Sequence, residues 1–137
     1  MKLVDTSVVI DIDRGGVEER VTKLDEEGRH AMSVVTLTEL RLGVNLQYER
    51  GSDKRAESIE ALERLCARFD LIEVSRNVSL AAADIIAAYR DGGKPLDDLH
   101  DVYIAATART EQLPVLTANV AHFERIPDLN VIDWAEY

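Results

Sequence analysis

The chain runs to 137 residues, 46% of them hydrophobic and only 5% aromatic, and its charges sum to −10 at neutral pH. That length fits one domain with its own core and leaves no room for two, while a single cysteine excludes an internal disulfide and a cysteine-built zinc site. The acidity excludes a protein that grips DNA or RNA by charge alone, since such proteins present a basic face, but not an enzyme that gathers cations onto its own carboxylates.

Taken in chain order, Met1-Lys2-Leu3-Val4-Asp5 meets an acid too early for a signal peptide, and no apolar run approaches transmembrane length. A soluble, cytoplasmic protein with no membrane contact is expected. Lys2-Leu3-Val4 reads as a buried strand, and Asp5-Thr6-Ser7 supplies residue types that cap helices. Val8–Arg14 is expected as a short helix stopped by Gly15-Gly16, and Glu18–Glu27 as a charged amphipathic one ending at Gly28. Ala31–Val35 reads as a strand, with Thr36 capping a helix that reaches Tyr48. The turn Gly51-Ser52-Asp53 leads to a helix over Ala56–Phe69, whose apolar face of Ile59, Leu62, Leu65 and Phe69 includes Cys66 as a small buried hydrophobe. Leu71–Val74 is the third strand, and Val78–Tyr89 an alanine-rich helix ended by Gly92-Gly93. Pro95 opens a loop before a helix over Asp97–Glu111. Pro114–Thr117 is the fourth strand, Ala121–Phe123 a turn of helix and Asn130–Ile132 a small last strand.

Short apolar strands alternating with helices imply an α/β fold, a short central parallel sheet flanked by helices on both faces. Sites in such sheets lie beyond the carboxyl ends of the strands. Asp5 follows the first strand and Thr117–Asn119 the fourth, so they share an edge, which the helix starts at Thr36 and Asp97 also face. Three acids converge there: Asp5, Glu39 one turn into its helix, and Asp101 before the most apolar helix. Crowded carboxylates repel unless they are protonated or bridged by cations. Mg²⁺ or Mn²⁺, hard ions with oxygen ligands, would bridge them and assist attack of water on a phosphodiester. Each acid has an ordinary role open to it as well. Asp5 can cap the helix at Thr6, and Thr36-x-x-Glu39 has the pattern of a capping box. Asp97, Asp98 and Asp101 crowd a first helical turn, where the macrodipole favours negative charge, and Asp97 and Asp98 read as cap and dipole residues.

Four blocks then occur in order: Val4-Asp5-Thr6-Ser7-Val8-Val9-Ile10, Thr36-x-x-Glu39-Leu40-x-x-Gly43, Asp101-x-x-Ile104-Ala105-Ala106, and Leu116-Thr117-Ala118-Asn119-x-x-x-Phe123. Together they resemble PIN domains, and among these the VapC-type toxins of prokaryotic toxin–antitoxin pairs. The resemblance spans Val4 to Trp134, and the segment Arg125-Ile126-Pro127-Asp128-Leu129 is similar too. It implies a single-domain PIN-like fold over residues 1–137. It also implies an endoribonuclease dependent on Mg²⁺ or Mn²⁺ that leaves a 5′-phosphate and a 3′-hydroxyl. Carried over, Asp5, Glu39 and Asp101 would be the catalytic, metal-binding acids, and Asn119 would fill a fourth catalytic position with a weaker, neutral contribution. Thr6, Ser7 and Thr117 match polar positions that orient such acids, with capping as their other reading, and Asp98 is an auxiliary. The partners implied are RNA, a second copy of the chain in a homodimer, and an antitoxin whose basic segment reaches the acidic site. Nothing marks His100 as a general base, and His122 reads as a surface residue. Arg14, Arg41 and Arg109 lie near the blocks and are candidate phosphate contacts, although each also fits a helix-surface charge.

Other classes compete. Val8-Val9-Ile10-Asp11-x-Asp13 imitates the strand-plus-DxD motif of haloacid-dehalogenase-like phosphatases, but Gly15 stands where that motif takes Thr or Val. Asp11 and Asp13 are therefore expected on the solvent face of a helix. A PIN nuclease of RNA processing and a non-catalytic PIN-like interaction module are the remaining rivals. Retention of Asp5, Glu39 and Asp101 together speaks against the module.

Overall fold

A computed structural model describes residues 1–93 and 98–137. The strands are β1 (Leu3–Val4), β2 (His30–Ser33), β3 (Phe69–Ile72), β4 (Val115–Thr117) and β5 (Val131–Asp133). They form one sheet in the order β3-β2-β1-β4-β5, every neighbouring pair parallel. Parallel neighbours require crossovers, and helices supply them: α1 (Thr6–Arg14), α2 (Glu18–Glu26), α3 (Val34–Gln47), α4 (Asp53–Cys66), α5 (Arg76–Asp91), α6 (Leu99–Glu111) and α7 (Val120–Phe123).

Strand side chains alternate between two cores. Leu3, Ala31 and Val115 face a core built with Val78, Ala82 and Ile85 of α5 and Val102 and Ala105 of α6. Their successors Val4, Met32 and Leu116 face the opposite core with Val8 and Val9 of α1, Leu24 of α2 and Trp134. Three consecutive strands with both faces buried explain why their sequence is apolar without alternation. Within Ala81–Ala88, Ala82 and Ile85 are buried while Ala83, Asp84, Ala87 and Ala88 are exposed, so only one face of that small-residue run enters the core. Among the described residues no helix is long and apolar enough to cross a membrane.

Several boundaries differ from the sequence expectation, each for a local reason. Ser33, not Thr36, caps α3, its Oγ accepting from the Val35 N–H at 3.0 Å. Ser52 caps α4, which starts at Asp53, three residues before Ala56, and its Oγ accepts from the Arg55 N–H at 3.2 Å. The helix then ends at Cys66, and the strand begins at Phe69 rather than Leu71 because His30 through Ser33 pair with Phe69 through Ile72. Cys66 is half-buried against the second core, and burial pushes its thiol pKa up. Asp97, expected to start the α6 helix, lies outside the described residues. Val8-Val9-Ile10 is helical rather than a strand, so Asp11 and Asp13 fall on α1, away from any strand end. That removes the geometry a phosphatase DxD motif needs.

Candidate active site

β1 stops at Val4 because Asp5 is the hinge between sheet and helix. Its backbone N–H still donates to the Leu116 carbonyl at 2.9 Å, while its own carbonyl accepts from Val8 at 3.0 Å in the first turn of α1. Asp5 thus occupies the N-cap position, but its side chain makes no capping bond. Instead Oδ2 accepts from Ser7 Oγ at 2.7 Å and from Thr117 Oγ1 at 2.9 Å. Neighbouring amides set those hydroxyls. Ala118 N–H donates to Ser7 Oγ at 3.1 Å and Asn119 N–H to Thr117 Oγ1 at 2.9 Å. A hydroxyl that accepts from an amide keeps its one proton for the carboxylate, so the two bonds on Asp5 are directional. The carboxylate is only 3% exposed, and both bonds fall on the same oxygen.

Glu39 is brought in by α3. Thr6 Oγ1 lies 2.9 Å from Glu39 Oε1 and 3.0 Å from Thr36 Oγ1. Thr6 is the donor toward both oxygens, so its one proton is shared between Glu39 and Thr36. The Thr36–Glu39 capping box is thus replaced by contacts of both side chains with Thr6 Oγ1. Asp98 caps α6, accepting from the His100 N–H at 2.8 Å. Asp101, in the first turn of that helix, has Oδ2 at 2.9 Å from His122 Nδ1 on α7. His100 Nδ1 stands 3.8 Å from Glu39 Oε2 and 3.6 Å from Asp98 Oδ1.

The sequence reading missed both imidazole contacts. His122 follows Asn119 by three residues and so lies one turn along α7, and this spacing after the strand-end block was the available signal. Asn119 itself joins the site through its backbone N–H; among the described residues its amide side chain makes no hydrogen bond to the acids. Arg14 and Arg41 are exposed on α1 and α3. Arg109 is committed elsewhere, its Nη2 donating to the Pro127 carbonyl. That corrects its reading as a phosphate contact.

The acids sense one another. Burial raises the Glu39 pKa above its ordinary value, opposed by the Thr6 hydrogen bond and by His100, while Asp5 and Asp98 push it further up. Asp101 is pushed up to about 6, first by burial and then by the charges of Asp98 and Asp5, with His122 pulling the other way. Asp5 and Asp98 are thus neighbours common to both. Each acid has one oxygen engaged, and among the described residues no hydrogen bond falls on Oδ1 of Asp5 or Oδ1 of Asp101. Like-charged oxygens of this kind suit a hard divalent cation, which would relieve the repulsion that raises these pKa values. As placed, no three carboxylate, imidazole or thiol groups among the described residues enclose an ion. Glu39 and Asp101 must therefore draw in toward Asp5 to share one.

A family model described as PIN domain matches residues 2–129. The chain is 30% identical over 131 residues to Ribonuclease VapC of Rickettsia bellii, covering 95% of this chain and 93% of that protein. It is 31% identical to Ribonuclease VapC19 of Mycobacterium tuberculosis, over 94% and 97% of the two chains. Among solved structures, VapBC-1 of nontypeable Haemophilus influenzae superposes with a TM-score of 0.81 at 28% identity, covering 98% of each chain. FitAcB of Neisseria gonorrhoeae does so with a TM-score of 0.81 at 29% identity over the whole of both.

Proposed function

The chain belongs to the PIN-domain family, and from that membership we propose that it is an endoribonuclease acting as the toxin of a VapBC-type toxin–antitoxin pair, dependent on Mg²⁺ or Mn²⁺. Support comes from the relatives named Ribonuclease VapC and from the VapBC complex that the chain resembles in fold. The observation that carries the reading to this chain's own residues is Asp5. It is a buried carboxylate fixed by two hydroxyls on one oxygen, and it is electrostatically coupled to Glu39 and Asp101.

Asp5, Glu39 and Asp101 hold the ion in this reading, and Asn119 contributes a neutral amide. When bound, the ion lowers the pKa of a coordinated water and offsets charge on the phosphodiester. The protein's part is to orient and to exclude. Ser7 and Thr117 hold Asp5 by Oδ2, Thr6 holds Glu39 by Oε1, and His122 holds Asp101 by Oδ2, so the other oxygen of each is the one to meet the ion. Partly buried carboxylates keep bulk water from screening these interactions, and pre-set donors need no reorganisation during the reaction. The product ends are a 5′-phosphate and a 3′-hydroxyl.

The partners follow from the same charge. RNA is the substrate, held through cations rather than by the protein's net charge, and the protein works in the cytoplasm as a homodimer. An antitoxin with a basic segment silences it by setting an arginine or lysine among the acids in place of the ion. RNA cleavage with added Mg²⁺ or Mn²⁺ tests the reading, repeated with EDTA and with Asp5→Asn. Cleavage should be lost in both controls. Equal cleavage in all three would remove the metal-dependent mechanism.

A further inference from the structure

A cavity of about 380 Å³ lies between the last turns of α5 and the segment after α7, lined by Ile85, Ala88, Tyr89, Gly92, Arg125 and Pro127. Its size falls in the range of small-molecule sites, roughly 300–1,000 Å³. Its position ties it to the acids. α5 and α6 pack closely along their lengths and are joined by a short connection, so the end of α5 that carries Tyr89 lies where α6, with Asp101, begins. On the other wall, Arg125 stands three residues beyond His122, whose imidazole touches Asp101.

The walls are held in place. Phe123 and Ile126 are buried in the core on either side of Arg125, which is itself exposed. Arg109 donates from Nη2 to the Pro127 carbonyl, clamping the far wall against α6. Tyr89 is half-buried against the same core, leaving part of its ring free to line the cavity. In a chain of net charge −10, no carboxylate among the described residues lines this cavity, and the charged group among its described lining residues is the Arg125 guanidinium. The cavities between α1 and α2 and between α1, α3 and α4 contain Glu18 and Asp13 respectively, while one on α3 is lined by Arg41 without a carboxylate but also without an aromatic ring. It is the pairing of Tyr89 with Arg125 that sets the α5 cavity apart among the described residues.

We propose that this cavity receives one unstacked base of the RNA next to the bond being cut, with Tyr89 against the base and Arg125 on the adjoining phosphate. The inference rests on the ribonuclease reading and names where that enzyme holds its substrate. An aromatic ring and a cation side by side form the usual recognition pair for single-stranded nucleic acid, because every base has a π-face and every linkage a negative phosphate. The site would also explain how so acidic a protein keeps RNA in register, since the metal ion alone positions only the phosphate at the acids.

The test uses the full chain carrying Asp5→Asn, expected to bind without cutting, and a fluorescein-labelled single-stranded RNA of six nucleotides, read by anisotropy with Mg²⁺ present. Arg125→Gln and Tyr89→Leu should each weaken binding roughly tenfold, and Tyr89→Phe should leave it unchanged. An abasic ribose at one position of the RNA should weaken binding to the parent by a similar factor and erase the further effect of Tyr89→Leu. In the catalytically intact chain, the same substitutions should raise KM more than they lower kcat. If Arg125→Gln and Tyr89→Leu bind RNA as tightly as their parent, the base site is overturned while the ribonuclease reading stands. Absence of cleavage by the intact chain with either ion overturns the ribonuclease reading itself, and the base site with it. If Tyr89→Leu instead shifts the protein to a smaller species by light scattering, with RNA affinity intact, the cavity belongs to a second copy of the chain. That outcome also overturns the proposal, and Arg125→Gln, at an exposed position, keeps the test open should Tyr89→Leu fail to fold.

Discussion

Replacing Asp101 by asparagine should make the metal-free protein more stable, although it removes a residue of the site. Asp101 is 20% exposed at its side chain, and burial together with the charges of Asp98 and Asp5 lifts its pKa from 3.8 to about 6. An acid whose folded pKa is raised binds its proton more tightly folded than unfolded. Its contribution to stability therefore falls as pH rises from about 4 to about 6 and then stays low. A displacement of that size corresponds to about 3 kcal/mol at neutral pH. The asparagine amide still offers an oxygen to His122 Nδ1, so the contact survives while the charge goes. Urea unfolding of both proteins in EDTA should show Asp101→Asn more stable by about 3 kcal/mol at pH 7.5, with the gap closing toward pH 4. Glu39, raised chiefly by burial, adds a loss of the same sign in both proteins. A variant less stable than the parent at pH 7.5, or a gap independent of pH, would refute the claim that the site stores electrostatic strain.

The other predictions probe the groups around that strain. Thr117→Val removes a buried hydroxyl from Asp5 Oδ2 and leaves the Asn119 N–H without its acceptor. The loss should be about 2 kcal/mol in urea unfolding at pH 7.5, and a change under 0.5 would argue that the bond is incidental. Mn²⁺ affinity measured by calorimetry should fall as pH drops below about 6, because a proton on Asp101 competes with the ion; a flat profile would exclude Asp101 as a ligand. His122→Ala should weaken Mn²⁺ binding about tenfold or more by freeing Asp101 Oδ2, and unchanged affinity would make His122 a bystander. Leu116→Ala, at a fully buried position beneath the site, should cost about 2–5 kcal/mol, and a loss below 1 would contradict its place in the second core.

The sheet and the place of Asp5 and Thr117 at its edge were legible because their signals are local. Lys2-Leu3-Val4 and Val115-Leu116 are short apolar runs that end in polar residues, and that pattern is what a strand buried on both faces looks like. Parallel order then places Asp5 and Thr117 side by side with no further assumption. Boundaries were less legible where two residues of the same chemistry compete. Ser33 and Thr36 both suit an N-cap, and pairing of His30–Ser33 with β3 settles the choice for Ser33, freeing Thr36 to accept from Thr6 in the interior. Tertiary contacts hid the rest. Beyond its spacing after Asn119, the sequence around His122 gives no sign of its partner, because Asp101 is 21 residues away on another helix. Arg109 looked like a free surface cation until the fold put the Pro127 carbonyl beside it.

The most direct test of the central claim is anomalous scattering at the manganese edge from crystals of the metal-free protein soaked in Mn²⁺. The three acids are coupled through Asp5 but do not yet enclose an ion. The account predicts a strong peak in contact with Asp5 and with Glu39, Asp101 or both, their side chains drawn inward. No peak at Asp5 under saturating Mn²⁺, or a peak held by other residues alone, would contradict it.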